Sequence, residues 1–201
     1  MSAEYIRIYY DEEQTQLKNE YFKFNGKIEG EYKMYFENGK LSIICTYVNN
    51  RRVGECKMYY NNGNLYCVCN YINGKEDGET KEYYAHGNLK TIINYSDGKK
   101  HGEFRRYYHN GELKKFCNYI NDKIEGELKK YHDNGQLMLI SNFINHKIGG
   151  EMKRYHKNGQ IMSICNFVND NIEGELKIYK ENGELKKTII YIDGIKRKNK
   201  N

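Results

Sequence analysis

A Gly-Glu or Gly-Gly-Glu step recurs in this chain at Gly30, Gly54, Gly78, Gly102, Gly126, Gly150 and Gly174, each interval 24 residues long with no insertion or deletion. Self-similarity at a fixed period of this length marks a stack of supersecondary units, each too small to fold alone. Other positions keep the same register. Five residues after each glycine stands a tyrosine: Tyr35, Tyr59, Tyr83, Tyr107, Tyr131, Tyr155 and Tyr179. The turn dipeptides Asn38-Gly39, Asn62-Gly63, His86-Gly87, Asn110-Gly111, Asn134-Gly135, Asn158-Gly159 and Asn182-Gly183 follow. Two residues beyond each turn glycine lies Leu41, Leu65, Leu89, Leu113, Leu137, Ile161 or Leu185. Six further on comes an aromatic ring: Tyr47, Tyr71, Tyr95, Tyr119, Phe143, Phe167 or Tyr191.

Each copy reads as a β-hairpin. The segment Glu127 to Tyr131 alternates in character and precedes Asn134-Gly135. Asn-Gly between alternating runs signals a tight hairpin turn, because both residues tolerate positive φ. The second strand, Gln136 to Ile144, is rich in aliphatic and aromatic residues. It ends at a second polar turn, such as Asn73-Gly74-Lys75 or Asp97-Gly98-Lys99. No segment sustains a 3.6-residue period, so no helix is expected. Successive hairpins should add edge to edge, since only a neighbour satisfies the open backbone groups of an outer strand. Fourteen strands at about 4.8 Å would span on the order of 65 Å, and such a sheet must twist. The expected fold is therefore all-β: an elongated, single-layer, twisted antiparallel sheet of tandem β-hairpin repeats, open-ended and solenoid-like.

The expected layout has a degenerate capping repeat over 1–29, seven repeats over 30–197 starting at 30, 54, 78, 102, 126, 150 and 174, and a basic tail over 198–201. In the cap, Leu17 and Gly26 match the repeat leucine and second-turn glycine. There Lys23 takes the aromatic position, Gln14-Thr15 replaces the Asn-Gly turn, and Ile6-Arg7 stands at the Gly-Glu position.

Composition narrows the function. The chain has 21 tyrosines and neither tryptophan nor proline, so it cannot bury a large aliphatic core in the usual way, yet it is too aromatic for disorder. Of the net charge of +6, four units come from Lys196, Arg197, Lys198 and Lys200. That placement argues against a nucleic-acid reader, which concentrates charge on one face of its folded body. Met1 to Arg7 has no apolar signal core, and no run of residues is long and apolar enough for a membrane span. A cytoplasmic location with free thiols is the expectation, in the host cytoplasm or a virion if the source is viral.

The pattern Gly-Glu-x-Lys-x-Tyr, Asn-Gly, Leu, then Tyr-x-Asn-Gly-Lys resembles the MORN repeat (membrane occupation and recognition nexus), in its slightly longer variant, over roughly Gly30 to Lys196. The resemblance implies a curved sheet of hairpins serving as an interaction platform for protein scaffolding, dimerisation or, in some members, phosphoinositide membranes. Some bacterial members of the variant are described as antitoxins, and similar arrays occur in giant DNA viruses. The better-known form carries Trp or Phe near the glycines, where this chain has Tyr32, Cys56, Thr80, Phe104, Leu128, Met152 and Leu176.

The repeat tyrosines, present in every copy, read as a structural ladder. Function should sit where copies differ. The position four after each repeat glycine runs Met34, Met58, Glu82, Arg106, Lys130, Arg154, Ile178. Arg106, Lys130 and Arg154 would form a basic stripe at about 10 Å intervals, with Lys114 and Lys115 nearby in sequence. That stripe suits an acidic protein, a phosphoinositide or a nucleic acid; solvated charge is the plainer alternative. Cys45, Cys69, Cys117 and Cys165 share a repeat position and read as small core residues. Cys67 and Cys69 share a face, Cys56 is not assigned to it, and no metal site is expected. His132 and His156 read as solvated strand-end residues. The repeat glutamates Glu31, Glu55, Glu79, Glu103, Glu127, Glu151 and Glu175 each have a Lys or Arg two residues on, a charge ladder along one face. No nucleophile, base or phosphate-loop motif is present, so neither catalysis nor a cofactor is expected. The expected function is a non-enzymatic scaffold for protein–protein interaction or self-association; the alternatives are a peripheral binder of anionic lipid or an antitoxin-like inhibitor.

Overall fold

The computed structural model describes residues 2–197, so Lys198 and Lys200 lie outside the described residues. Among those residues there are eighteen strands and no helix. The chain divides into two compact units, Met1–Lys100 and His101–Asn201. The first holds β1 (Ala3–Tyr9), β2 (Leu17–Phe24), β3 (Lys27–Tyr35), β4 (Leu41–Val48), β5 (Arg51–Tyr59), β6 (Leu65–Ile72), β7 (Lys75–Glu76), β8 (Gly78–Tyr83) and β9 (Leu89–Ser96). The second holds β10 (Lys99–Tyr107, entering at residue 101), β11 (Leu113–Ile120), β12 (Lys123–Tyr131), β13 (Leu137–Ile144), β14 (Lys147–Tyr155), β15 (Ile161–Val168), β16 (Asn171–Tyr179), β17 (Leu185–Ile192) and β18 (Ile195–Lys196). Within each unit, strands pair antiparallel with their sequence neighbours, β7 and β8 both pairing with β6. The tandem hairpins expected from the repeat are present in both units.

The two kinds of turn exchange the roles that sequence suggested. The paired positive-φ residues are in the turns between copies: Asn49 and Asn50 at 51° and 66°, Asn73 and Gly74 at 52° and 83°, Asn145 and His146 at 52° and 68°. These are two-residue turns of the primed kind, whose twist suits the flanking strands. The Asn-Gly turns within copies are longer, and only their glycine has positive φ, as in Gly39 at 77°. Phe36 N donates to Lys40 O at 2.8 Å and Gly39 N to Phe36 O at 2.9 Å, closing a three-residue loop. Asparagine stands there for its side chain. Asn134 Oδ1 accepts from Gln136 N at 3.1 Å, while its Nδ2 donates to Lys157 O, one copy further on, at 2.9 Å. Asn38, Asn62, Asn110 and Asn158 make the same bond to the next copy at 2.8–3.0 Å.

The repeat glycine is a bulge. Gly150 has φ of 76°, and pairing of β13 with β14 slips between Ile140 and Asn142, opposite that glycine. A left-handed residue inside a strand bends it and raises its twist.

The core is a line of cross-strand pairs, four of the hairpins setting a large side chain against a small one: Tyr32 opposite Cys45, Phe104 opposite Cys117, Leu128 opposite Ser141, Met152 opposite Cys165. Each of these small residues is buried.

The first hairpin differs from the sequence alignment. Ile6 pairs with Tyr21, and Glu4 faces Lys23, because the β1–β2 loop is two residues longer than in the repeats. Tyr9 therefore faces Leu17, as the repeat tyrosines face their leucines, and the Tyr10 hydroxyl donates to Tyr35 O at 2.9 Å, as Tyr60 does to Tyr83 O at 2.8 Å. The pair Tyr9-Tyr10, matching Tyr59-Tyr60, was the available signal. Tyr35 and Tyr5 both donate to the Glu20 carboxylate, at 2.6 and 2.7 Å, and hold it below its ordinary value, Tyr35 contributing most.

Gly150→Ala should destabilise the protein by about 1–2 kcal/mol, the penalty of a left-handed alanine. Gly149→Ala, at ordinary φ and with 3.4 Å to the flexible Ile144 Cδ1, should be neutral or stabilising; urea unfolding of the two variants reads the contrast. A depressed carboxylate stabilises above its unfolded pKa of about 4.3 and loses that contribution as pH falls through the folded value. Glu20→Gln should therefore be less stable than the parent at pH 7, with the gap closing below about pH 4 in thermal melts.

Candidate functional site

Strand alternation gives the sheet of each unit two chemically distinct faces. One carries the repeat glutamates, each ion-paired with the Lys or Arg two residues on. In the first unit Glu31–Lys33, Glu55–Lys57 and Glu79–Lys81 meet at 2.5–2.7 Å. In the second, Glu103–Arg105, Glu127–Lys129, Glu151–Lys153 and Glu175–Lys177 meet at 2.5–2.9 Å. These cations are partnered and only partly exposed, and pairs so close to solvent contribute little to stability.

The opposite face carries the core pairs and the variable position. Arg106, Lys130 and Arg154 lie two residues beyond Phe104, Leu128 and Met152, hence on that same face. Register joins them into a row across the second unit. Arg106 faces Lys115, Lys115 faces Lys130, Lys130 faces Leu139, Leu139 faces Arg154, and Arg154 faces Ser163. Lys115 thus stands between Arg106 and Lys130, so three like charges occupy consecutive strands. Directly opposed like charges destabilise a sheet. The corresponding row in the first unit is apolar before it turns acidic: Met34, Ile43, Met58, Cys67, Glu82.

Aromatic rings hold Lys115 in place. Its Nζ lies 5.1 Å from the Phe104 ring centre and 5.6 Å from that of Tyr119, and donates to the Tyr119 hydroxyl at 3.4 Å. Beside Arg154 is an open depression of about 270 Å³ lined by Met152, Met162, Phe167, Leu176 and Ile178.

A further feature escaped the sequence reading. The last residue of six of the seven repeat second strands, just before the primed turn, is a half-exposed aliphatic: Val48 and Ile72 in the first unit, Ile120, Ile144, Val168 and Ile192 in the second, at 42–54%, while β9 ends at Ser96. Their 24-residue recurrence was visible in the sequence, but alternation alone did not say which aliphatics the core leaves out.

Each repeat tyrosine faces the leucine or isoleucine of its own hairpin, as Tyr35 faces Leu41 and Tyr155 faces Ile161. Tyr59, Tyr83, Tyr107, Tyr131 and Tyr179 are placed likewise. His132 and His156 are not solvated strand-end residues. Both are half-buried in the slot that Tyr60 and Tyr108 fill elsewhere, their Nε2 atoms 2.9 and 3.2 Å from Tyr155 O and Tyr179 O. A carbonyl only accepts, so Nε2 carries the proton. Cys56 faces Cys69 directly and so shares the face of Cys67 and Cys69. Among the described residues, no group of three or more His, Cys, Asp or Glu side chains is arranged to hold a metal ion, and no helix is long and apolar enough to cross a membrane.

Tandem hairpins with bulged glycines and chemically split faces define an open β-repeat protein. The MORN repeat variant matches residues 28–49, 52–73, 76–97, 100–121, 124–145, 148–169 and 172–193, and the chain belongs to that family. Such repeats form scaffolds that commonly bind protein or membrane, and the family is generally non-enzymatic. No curated protein matches the chain. Among solved structures, the chain is similar to "Crystal Structure of TcdB2-TccC3" at 14% identity and a TM-score of 0.20, over 95% of this chain and 15% of that one. It is also similar to "Crystal Structure of TcdB2-TccC3-TEV" at 14% identity and a TM-score of 0.24, over 94% of this chain and 12% of that one. Such TM-scores carry no argument about this chain.

Lys115→Gln removes the central charge of the row and should stabilise the protein by roughly 0.2–1 kcal/mol. The gain should shrink as salt rises; urea midpoints at low and high ionic strength test both.

Proposed function

We propose that this chain is a non-enzymatic scaffold whose second unit binds protein, either a separate partner or a second copy. The observation that carries this is the row Ile120, Ile144, Val168 and Ile192: aliphatic side chains repeated in register and left half-exposed. Contiguous exposed apolar surface marks an interaction site more often than scattered single residues do. On the opposite face, the depression beside Arg154 offers a second surface with a pocket for an apolar anchor, and the row Arg106, Lys115, Lys130 there favours an acidic one. A cytoplasmic setting, in the host cell or a virion, belongs to the same proposal. So does the division into a capping repeat over 1–29, seven repeats over 30–197 and a basic tail over 198–201.

Peripheral binding of anionic lipid is the second reading, and the like-charge row supports it. Both are tested with Ile144→Asp/Val168→Asp and with Arg106→Glu/Lys130→Glu/Arg154→Glu. The scaffold reading expects complexes of the intact chain, seen by sedimentation and by stoichiometric co-purification, that the aspartate variant weakens at least about tenfold, or 1.4 kcal/mol. Complexes unaffected by the aspartates would sink it. Co-sedimentation with phosphatidylserine vesicles, abolished by charge reversal and indifferent to the aspartates, would favour the lipid reading instead.

A further inference from the structure

The hairpin of β5 and β6 breaks the size rule of the core. At this level every other repeat hairpin includes a side chain at least as large as isoleucine: Tyr32 with Cys45, Thr80 with Ile93, Phe104 with Cys117, Leu128 with Ser141, Met152 with Cys165, Leu176 with Ile189. Between β5 and β6 two small side chains meet instead. Cys56 faces Cys69, and both are fully buried. Cys45 and Cys67 complete one cluster with them, and Met58 packs against it. Across the pair, Cys69 Sγ donates to Cys56 O at 3.8 Å. Two positions that hold other residues in the neighbouring copies, those of Cys56 (Tyr32, Thr80) and Cys67 (Ile43, Thr91), have become cysteine beside Cys45 and Cys69, which packing by itself does not demand.

A cation beside this cluster compensates negative charge. The half-buried Arg52 donates from Nε to the Tyr47 hydroxyl at 3.1 Å and from Nη1 to the Tyr71 hydroxyl at 3.3 Å. Glu76, the acidic group packed nearby, engages the Tyr71 hydroxyl at 3.5 Å.

We propose that Cys56 and Cys69 form a two-thiolate site for copper(I), with Cys45, Cys67 and Met58 as flanking sulfurs. Donor softness selects the ion, because thiolate and thioether ligands prefer copper(I) over hard cations. Geometry selects the coordination number. Tetrahedral zinc needs ligands gathered about one point, and the described residues offer no such group, whereas a linear ion needs only a facing pair. Binding releases the two thiol protons. One copper(I) with two thiolates carries a single negative charge, which the Arg52 guanidinium offsets.

The test titrates the full chain anaerobically with copper(I) against a bicinchoninate competitor. It uses substitutions that the protein's own repeats already accommodate when buried: Cys56→Thr, as at Thr80, and Cys69→Ser, as at Ser141. The parent and Cys117→Ser/Cys165→Ser should each retain one equivalent with sulfur-to-copper absorption in the ultraviolet. Cys56→Thr/Cys69→Ser should retain at least about tenfold less. X-ray absorption of the copper-loaded parent should show a sulfur-only shell of two near neighbours, a readout that does not depend on the variants folding. No retention by the parent, equal retention by the double variant, or nitrogen or oxygen ligands in the shell would each overturn the proposal. Cobalt(II) bands typical of a tetrathiolate would overturn it as well, by showing a four-coordinate site.

Discussion

Every hairpin in this chain leaves rows of backbone N–H and C=O groups open at its edges, and only another strand can satisfy them. That requirement joins one copy to the next within each unit. The primed turns bring the strand after each copy back antiparallel, and asparagine side chains tie long turns to the following ones at Asn38, Asn62, Asn110, Asn134 and Asn158. At the position after the repeat tyrosine, a tyrosine hydroxyl or histidine Nε2 adds a further cross-copy bond, as at Tyr60, Tyr108 and His132. The repeat length is set by this circuit: two strands, two turns of different length, and one glycine bulge.

With the backbone so occupied, side chains divide by face. The Glu–Lys pairs cover one face with compensated charge, and the half-exposed Ile120, Ile144, Val168 and Ile192 stand on that same face. The opposite face combines a thin core of large–small pairs with positions that vary from copy to copy. Variation there changes chemistry without disturbing the sheet. The first unit is sulfur-rich and apolar, with Cys56 against Cys69, and the second is basic, with Lys115 between Arg106 and Lys130. A like-charge row of this kind lowers the stability of the sheet that carries it.

The repeat spacing, the strands, the hairpin pairing and the family were all legible in the sequence, because a period of 24 residues with fixed glycines admits one kind of local structure. Much of the candidate face was legible too. Arg106, Lys130 and Arg154 stood out as departures from the repeat, and the glutamate-to-lysine spacing put each pair on one face. Lys115 was seen only as a sequence neighbour, since its place between Arg106 and Lys130 depends on which residue faces which across two hairpins.

What the sequence determined by itself was periodic: where strands begin, where chains turn, which positions recur. What only the tertiary structure decided was register, because a bulge or a two-residue change in a loop slides one strand past another and reassigns every cross-strand neighbour. That is why Tyr9 rather than Asp11 faces Leu17, why Cys56 meets Cys69 on the buried face, and why His132 bonds to the next copy instead of to water. Spacing along a chain fixes which residues recur, but neighbours across a sheet follow from hydrogen bonds that no single strand encodes.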